Sequence, residues 1–184
     1  MKKNTFIVIA LSTIILSLGW IILTPFLFPG TSNETVSAAA HPGFLAPEFT
    51  LTTPLGETIS LSDYEGQPVL VFLWASWCSV CKSTMPGLQQ VYEAFEPQGF
   101  EILAVNTAYQ DNLSSAINYF QSQGYTYTLL LDQDGTVSRN YQLHALPTSV
   151  LVSPDGRVLD VVIGSGLSAG FLRARLDDFY TNQD

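Results

Sequence analysis

A seven-residue apolar run, Pro68-Val-Leu-Val-Phe-Leu-Trp74, leads within four residues to Cys78, and Cys81 follows three residues later. The run is strand-length, is bounded by turn residues and shows no polar alternation, so it reads as a central strand covered on both faces. A helix is expected from about Ser79 to Phe95, interrupted by Pro86. The chain therefore hands a cysteine from a buried strand to the first turn of a helix. Free amides and the positive end of the helix dipole lie there, and both favour an anion. Cys78 is thus expected to titrate below the thiol reference of about 8.5. Three-residue spacing on a helical turn brings Cys81 within bridging range. One sulfur can attack a disulfide and the other can resolve the mixed disulfide.

Cys78 and Cys81 are the only cysteines in 184 residues. A structural disulfide scaffold uses more, spread along the chain. A tetrahedral zinc site usually takes two further ligands, and the only histidines are His41 and His144. The cysteine count favours a local redox pair, and no metal is expected.

The other elements surround this unit. Phe49-Thr-Leu51 and Thr58-Ile-Ser-Leu61, separated by Pro54 and Gly56, read as a hairpin. Phe100 to Asn106 reads as the next strand. Asp111 is a plausible N-cap for a helix through Gln123, closed by Gly124. Tyr127 to Leu131 reads as a strand, and Val137 to Tyr141 as a short helical turn. Thr148–Val152 and Arg157–Ile163 flank Pro154-Asp-Gly156, a second hairpin. Phe171 to Tyr180 closes as an amphipathic helix. The order gives an α/β sandwich with a mixed central sheet flanked by helices.

The N-terminus is of another kind. No charge occurs between Lys3 and Glu34, and Thr5–Phe28 is 24 residues long. That is about 36 Å of helix, against a hydrocarbon core of about 30 Å. Residues 1–4 are expected in the cytoplasm, 5–28 as a transmembrane signal-anchor, 29–42 as a flexible tether, and 43–184 as a domain on the extracytoplasmic side. Cleavage after Ala38-Ala39-Ala40 is the rival reading, although the apolar run exceeds the usual length for a cleaved signal. Beyond Lys2 and Lys3 the chain carries 5 basic and 16 acidic residues, a net of −11. Such a surface repels phosphate, so nucleic acid is not expected as a partner.

Trp77-Cys78-x-x-Cys81 with Pro86 five residues on resembles the thioredoxin active site, and Leu146-Pro147-Thr148 resembles that fold's cis-proline loop. The resemblance covers about residues 43–181. The N-terminal hairpin extension and the inserted αβ unit near 111–131 are similar to the TlpA/ResA-type group of membrane-anchored thiol–disulfide oxidoreductases, which serve cytochrome c maturation. The resemblance implies that Cys78 is the exposed nucleophile, Cys81 the resolving thiol, and Pro147 a cis residue beside them. It implies that Trp77 and Leu146 meet a substrate peptide, with protein thiols and disulfides as partners and a membrane electron donor. A monomer is expected, with no cofactor beyond the Cys78–Cys81 disulfide.

There are departures. Phe72 stands where thioredoxin has a buried acid, and Thr84 where ResA-type proteins have a glutamate. Glu65 and Glu101 are the remaining acids considered for proton transfer, and the sequence does not place them. The Ser79-Val80 insert holds no histidine of the kind that strong oxidants use. His144 and Lys82 are candidate modulators of the Cys78 thiolate. Two other functions remain in view. A peroxiredoxin-like peroxidase resembles this chain less, because Ala75 occupies the position of its required threonine. A Cu(I)-binding module would use both thiolates and His144.

Overall fold

The computed structural model of the chain describes residues 38–181. The expected N-terminal span, and most of the expected tether, lie outside them. Among the described residues no helix is long and apolar enough to cross a membrane. A seven-stranded sheet runs in the order β2-β1-β5-β4-β3-β6-β7. Its strands are β1 Thr50–Thr52, β2 Thr58–Ser60, β3 Val69–Trp74, β4 Glu101–Asn106, β5 Thr128–Leu131, β6 Thr148–Val152 and β7 Val158–Ile163. The helices are α1 Ser79–Phe95, α2 Leu113–Ser122, α3 Thr136–Asn140 and α4 Ala169–Thr181.

The apolar run forms the middle of this sheet. β3 pairs parallel with β4 and antiparallel with β6, and all six of its residues are buried. Successive side chains face opposite layers. Leu70, Phe72 and Trp74 enter the core beneath α1, α2 and α4. Val69, Val71 and Leu73 enter the other core, with Phe49, Val137 and Tyr141. Each fully buried side chain of this size contributes about 1.5–3 kcal/mol, so a charge introduced here would break the fold first.

Helix α1 buries Cys81, Met85, Leu88, Val91 and Phe95, a stripe at helical spacing. Pro86 lies inside the helix and removes one amide from its hydrogen-bond ladder. A Cβ at Gly87 would come within 3.2 Å of the Ala169 Cβ, so the glycine lets α4 pack closely against α1.

Both hairpins form as expected. In the second, Gly156 takes φ +77° and donates to the Ser153 carbonyl at 2.9 Å. The inserted unit delivers β5 between β4 and β1. Three of the boundaries that differ from expectation have a visible cause. The tether ends earlier, because Ala38 bridges Leu45 and Ala40 is buried. Helix α3 starts at Thr136, where the buried Asp132 carboxylate accepts from the Val137 and Ser138 amides. Asp111 is not the cap of α2. Asn112 is: its side-chain oxygen accepts from the Ser115 amide at 2.9 Å.

Candidate active site

Strand β3 ends at Trp74, and the turn Ala75-Ser76-Trp77 carries the chain to Cys78. The Cys78 amide closes that turn on the Ala75 carbonyl at 3.1 Å. Cys78 is the N-cap of α1, with extended backbone, and its sulfur accepts from the Cys81 amide at 3.0 Å. One of the helix's free N-terminal donors thus already points at the sulfur. Cys78 and Cys81 are joined as a disulfide, with Cα atoms 5.3 Å apart.

The expected exposure of Cys78 needs correction. Its residue is 6 % exposed, Cys81 is 0 % exposed, and the neighbouring Trp77 is 61 % exposed. The sulfur is drawn onto the first helical turn, so Trp77 and not the cysteine projects from this end. The difference between the two sulfurs is retained: only Cys78 has surface that a partner can reach.

The Leu146–Pro147 peptide is cis. Thr148 of β6 lies opposite Leu73 of β3, so the register carries Pro147 to the level of Trp74, at the mouth of the Cys78 turn. The Pro147 carbonyl accepts from Gly164 at 2.7 Å, and the Thr148 hydroxyl donates to the Ala145 carbonyl at 2.8 Å. Pro147 is buried and Leu146 half-buried. The indole of Trp77 donates to the Gln110 carbonyl at 3.3 Å, which holds an exposed ring against the 108–111 segment.

Among the described residues neither expected modulator makes a hydrogen bond or ion pair with the sulfur. The Lys82 ammonium stands 4.6 Å from the centroid of the Tyr119 ring on α2. His144 is exposed on the loop before Pro147, and no hydrogen bond or ion pair among the described residues ties it to the cysteines. Among the described residues no three His, Cys, Asp or Glu side chains gather as a metal site requires. Ala75 is fully buried and offers no hydroxyl.

Phe72 lies in the core, and the Thr84 hydroxyl donates to the Val80 carbonyl at 3.0 Å. Glu101 is not near the site. It begins β4 opposite Val69, whereas the cysteine turn leaves from Trp74 opposite Asn106. Five residues of strand separate the two ends, about 16 Å. Glu65 lies toward that far end as well, lining a cavity of about 270 Å³ with Leu61, Tyr64 and Val152. The Glu101 carboxyl is held above the usual carboxylate range by burial, opposed by the Ile102 and Thr128 amides that donate to it.

Sequence reasoning missed a polar cluster behind the turn. Asp111 accepts from the Ser76 amide and hydroxyl, both at 2.6 Å, and from the Asn106 side chain at 2.9 Å. Asn106 and Thr107 are fully buried polar residues, and both reach the Trp74 carbonyl. The available signal was the pair Asp111-Asn112, two cap residues in succession, of which a helix uses one.

Residues 42–161 match the AhpC/TSA family. The chain belongs to that family. Over 155 residues it is 34 % identical to the thiol-disulfide oxidoreductase ResA of Bacillus subtilis (strain 168), covering 84 % of this chain and 82 % of the relative. Against ResA of Geobacillus kaustophilus (strain HTA426) it is 31 % identical over 168 residues, covering 90 % and 91 %. Among solved structures, StoA from Bacillus subtilis matches with a TM-score of 0.62 at 27 % identity, over 73 % of this chain and 97 % of that one. The thioredoxin domain of a thiol-disulfide oxidoreductase from Bacteroides vulgatus matches with a TM-score of 0.66 at 27 % identity, over 76 % and 97 %. The chain has the thioredoxin fold and is a thiol–disulfide oxidoreductase.

Proposed function

We propose that this oxidoreductase reduces protein disulfides on the extracytoplasmic side of a membrane. The observation that carries the reading is the Cys78–Cys81 pair at the start of α1 beside Pro147. The Cys78 thiolate attacks one sulfur of a substrate disulfide, and the substrate's other sulfur leaves as a thiolate and takes a proton. Cys81 then loses its proton and attacks the Cys78 sulfur, expelling the second substrate thiolate. Two electrons pass to the substrate, the enzyme ends as the disulfide, and no cofactor other than that disulfide takes part. Trp77 and Leu146 form the substrate face, with the Leu146 backbone offered to an extended peptide.

The apolar Thr5–Phe28 run and Lys2-Lys3 support a single-span anchor with residues 43–184 outside, reduced in turn by a membrane electron donor. The resemblance of the motifs to the TlpA/ResA-type group supports a role in cytochrome c maturation, and the chain is read as a monomer. Protease added to intact spheroplasts is expected to release the folded domain; a native N-terminus at His41 would replace the anchor by a cleaved signal.

The direction of electron flow has its own test. Val80 adds no charge beside the thiolate, and no histidine lies inside the pair. A thiolate held only by the helix terminus leaves the dithiol less favoured than in a strong oxidant. A glutathione titration is expected to give a potential nearer about −270 mV than about −120 mV. A value above about −160 mV overturns the reductase reading.

A further inference from the structure

Asp111 has no part in the sulfur exchange between Cys78, Cys81 and the substrate. Its carboxylate nevertheless accepts four hydrogen bonds, all from neutral donors. Oδ2 takes the Ser76 amide at 2.6 Å and the Asn106 side chain at 2.9 Å. Oδ1 takes the Ser76 hydroxyl at 2.6 Å and the Asn112 amide at 2.8 Å. These donors come from the Cys78 turn, the end of β4 and the cap of α2. One residue earlier, the Gln110 carbonyl accepts the Trp77 indole. Helix capping does not explain the carboxylate, because Asn112 performs it.

We propose that Asp111 is a positioning residue for the exchange reaction. It clamps the Ser76-Trp77-Cys78 turn, and its charge makes Cys78 less acidic than the helix terminus alone would. The proposal rests on Cys78 as the attacking thiol. A half-buried carboxylate bound to a segment two residues from the sulfur opposes a second negative charge there. A less favoured thiolate makes the pair more reducing. The other ionisable side chains around this end include the fully buried Asp132, whose amide donates to the Asn106 carbonyl and whose carboxylate is taken up by the Val137 and Ser138 amides, Lys82 over the Tyr119 ring, Tyr119 itself, the half-exposed Tyr109 and the exposed His144.

The test uses the reduced full-length protein and Asp111→Asn. Asparagine keeps the shape and removes the charge, while one amide donor of the clamp loses its acceptor. Iodoacetamide alkylation is followed against pH, the labelled cysteine is identified by peptide mapping, and the redox equilibrium is measured against glutathione. In the variant, the Cys78 thiolate fraction at pH 7 is expected to rise about threefold. The dithiol–disulfide constant is expected to move toward the dithiol by at most about threefold, or about 14 mV. Ser76→Ala keeps the charge and removes one hydrogen bond, so its alkylation curve should not move while insulin reduction slows about threefold. If Asp111→Asn does not fold, that slowing decides, and unchanged turnover in Ser76→Ala overturns the proposal. Label on Cys78, with wild-type and Asp111→Asn curves that superimpose or a variant thiolate fraction that falls, overturns this proposal alone. Label on Cys81 overturns the nucleophile assignment and this proposal with it.

Discussion

The two ends of strand β4 each hold a carboxylate, and the two are used differently. Glu101 at the start is half-buried beside Tyr92, and its proton is held more tightly than in an ordinary carboxyl. Asp111, just past the other end, is half-buried and spends both oxygens on donors from the cysteine turn, β4 and α2. The perturbed acid lies about five strand residues from the disulfide, and the acid with the richer donor set lies behind it. A shifted carboxyl is therefore a poor guide to the chemistry in this fold. The strand end from which the attacking residue leaves is the better one.

The largest expected effect at the active end comes from the cysteines. Cys78→Ser should abolish exchange with insulin, because no other residue here supplies the first sulfur. Cys81→Ser should accumulate mixed disulfides, since the resolving thiol is gone. Both variants should keep the fold, because the rest of the core stripe Met85, Leu88, Val91 and Phe95 is untouched. Mixed disulfides trapped by Cys78 in the Cys81→Ser protein, seen on non-reducing gels, check the division of roles. Trapping by Cys81 in the Cys78→Ser protein instead would reverse it.

A smaller effect is expected at the far end, and it concerns stability alone. An acid whose folded-state pKa is raised favours the folded form while it stays protonated and costs stability once ionised. Below the ordinary value of 4.5, both states carry the Glu101 proton and nothing is lost. As pH rises above that value the unfolded chain ionises first, and stability falls until the folded group also ionises. Glu101→Gln removes this titration and keeps an acceptor for the Ile102 amide. The difference in melting temperature between variant and wild type should grow in the variant's favour from pH 4.5 upward, to roughly 2 °C. Insulin reduction should stay within about twofold. A difference that does not change with pH would show that burial is not what governs Glu101.

The contrast also explains what could be read in the sequence. The β3 run, the cysteine pair, both hairpins and the inserted αβ unit were legible because each is a local pattern: an apolar run, a fixed spacing, a turn with the right residues. Leu146-Pro147-Thr148 was legible only through its resemblance to a known loop. The role of Asp111 was not, because Ser76 lies 35 residues away and sequence periodicity carries no information about such a pairing. Glu101 could not be placed for the same reason, since only the β3–β4 register fixes which end of the sheet it occupies. The burial of Cys78 was missed because its sulfur is held on the first turn by the Cys81 amide, a contact that spacing alone does not show.

Lys82 gives the smallest expected effect. From the sequence it was a candidate to stabilise the Cys78 thiolate, being one turn into the same helix. In the structure its ammonium rests on the Tyr119 ring instead, 4.6 Å from the centroid. A cation over an aromatic face at a partly exposed site is worth about 0.5–1 kcal/mol. Lys82→Met keeps the apolar stem and removes the charge. Its melting temperature should fall by less than about 2 °C, through weaker contact between α1 and α2. The ammonium's contact is with the ring and not with the sulfur, so the pH at which Cys78 alkylates should move by less than about 0.3 units. A move of a full unit toward higher pH would restore Lys82 as the modulator, because it would show that the ammonium spends its time at the sulfur and not on the ring.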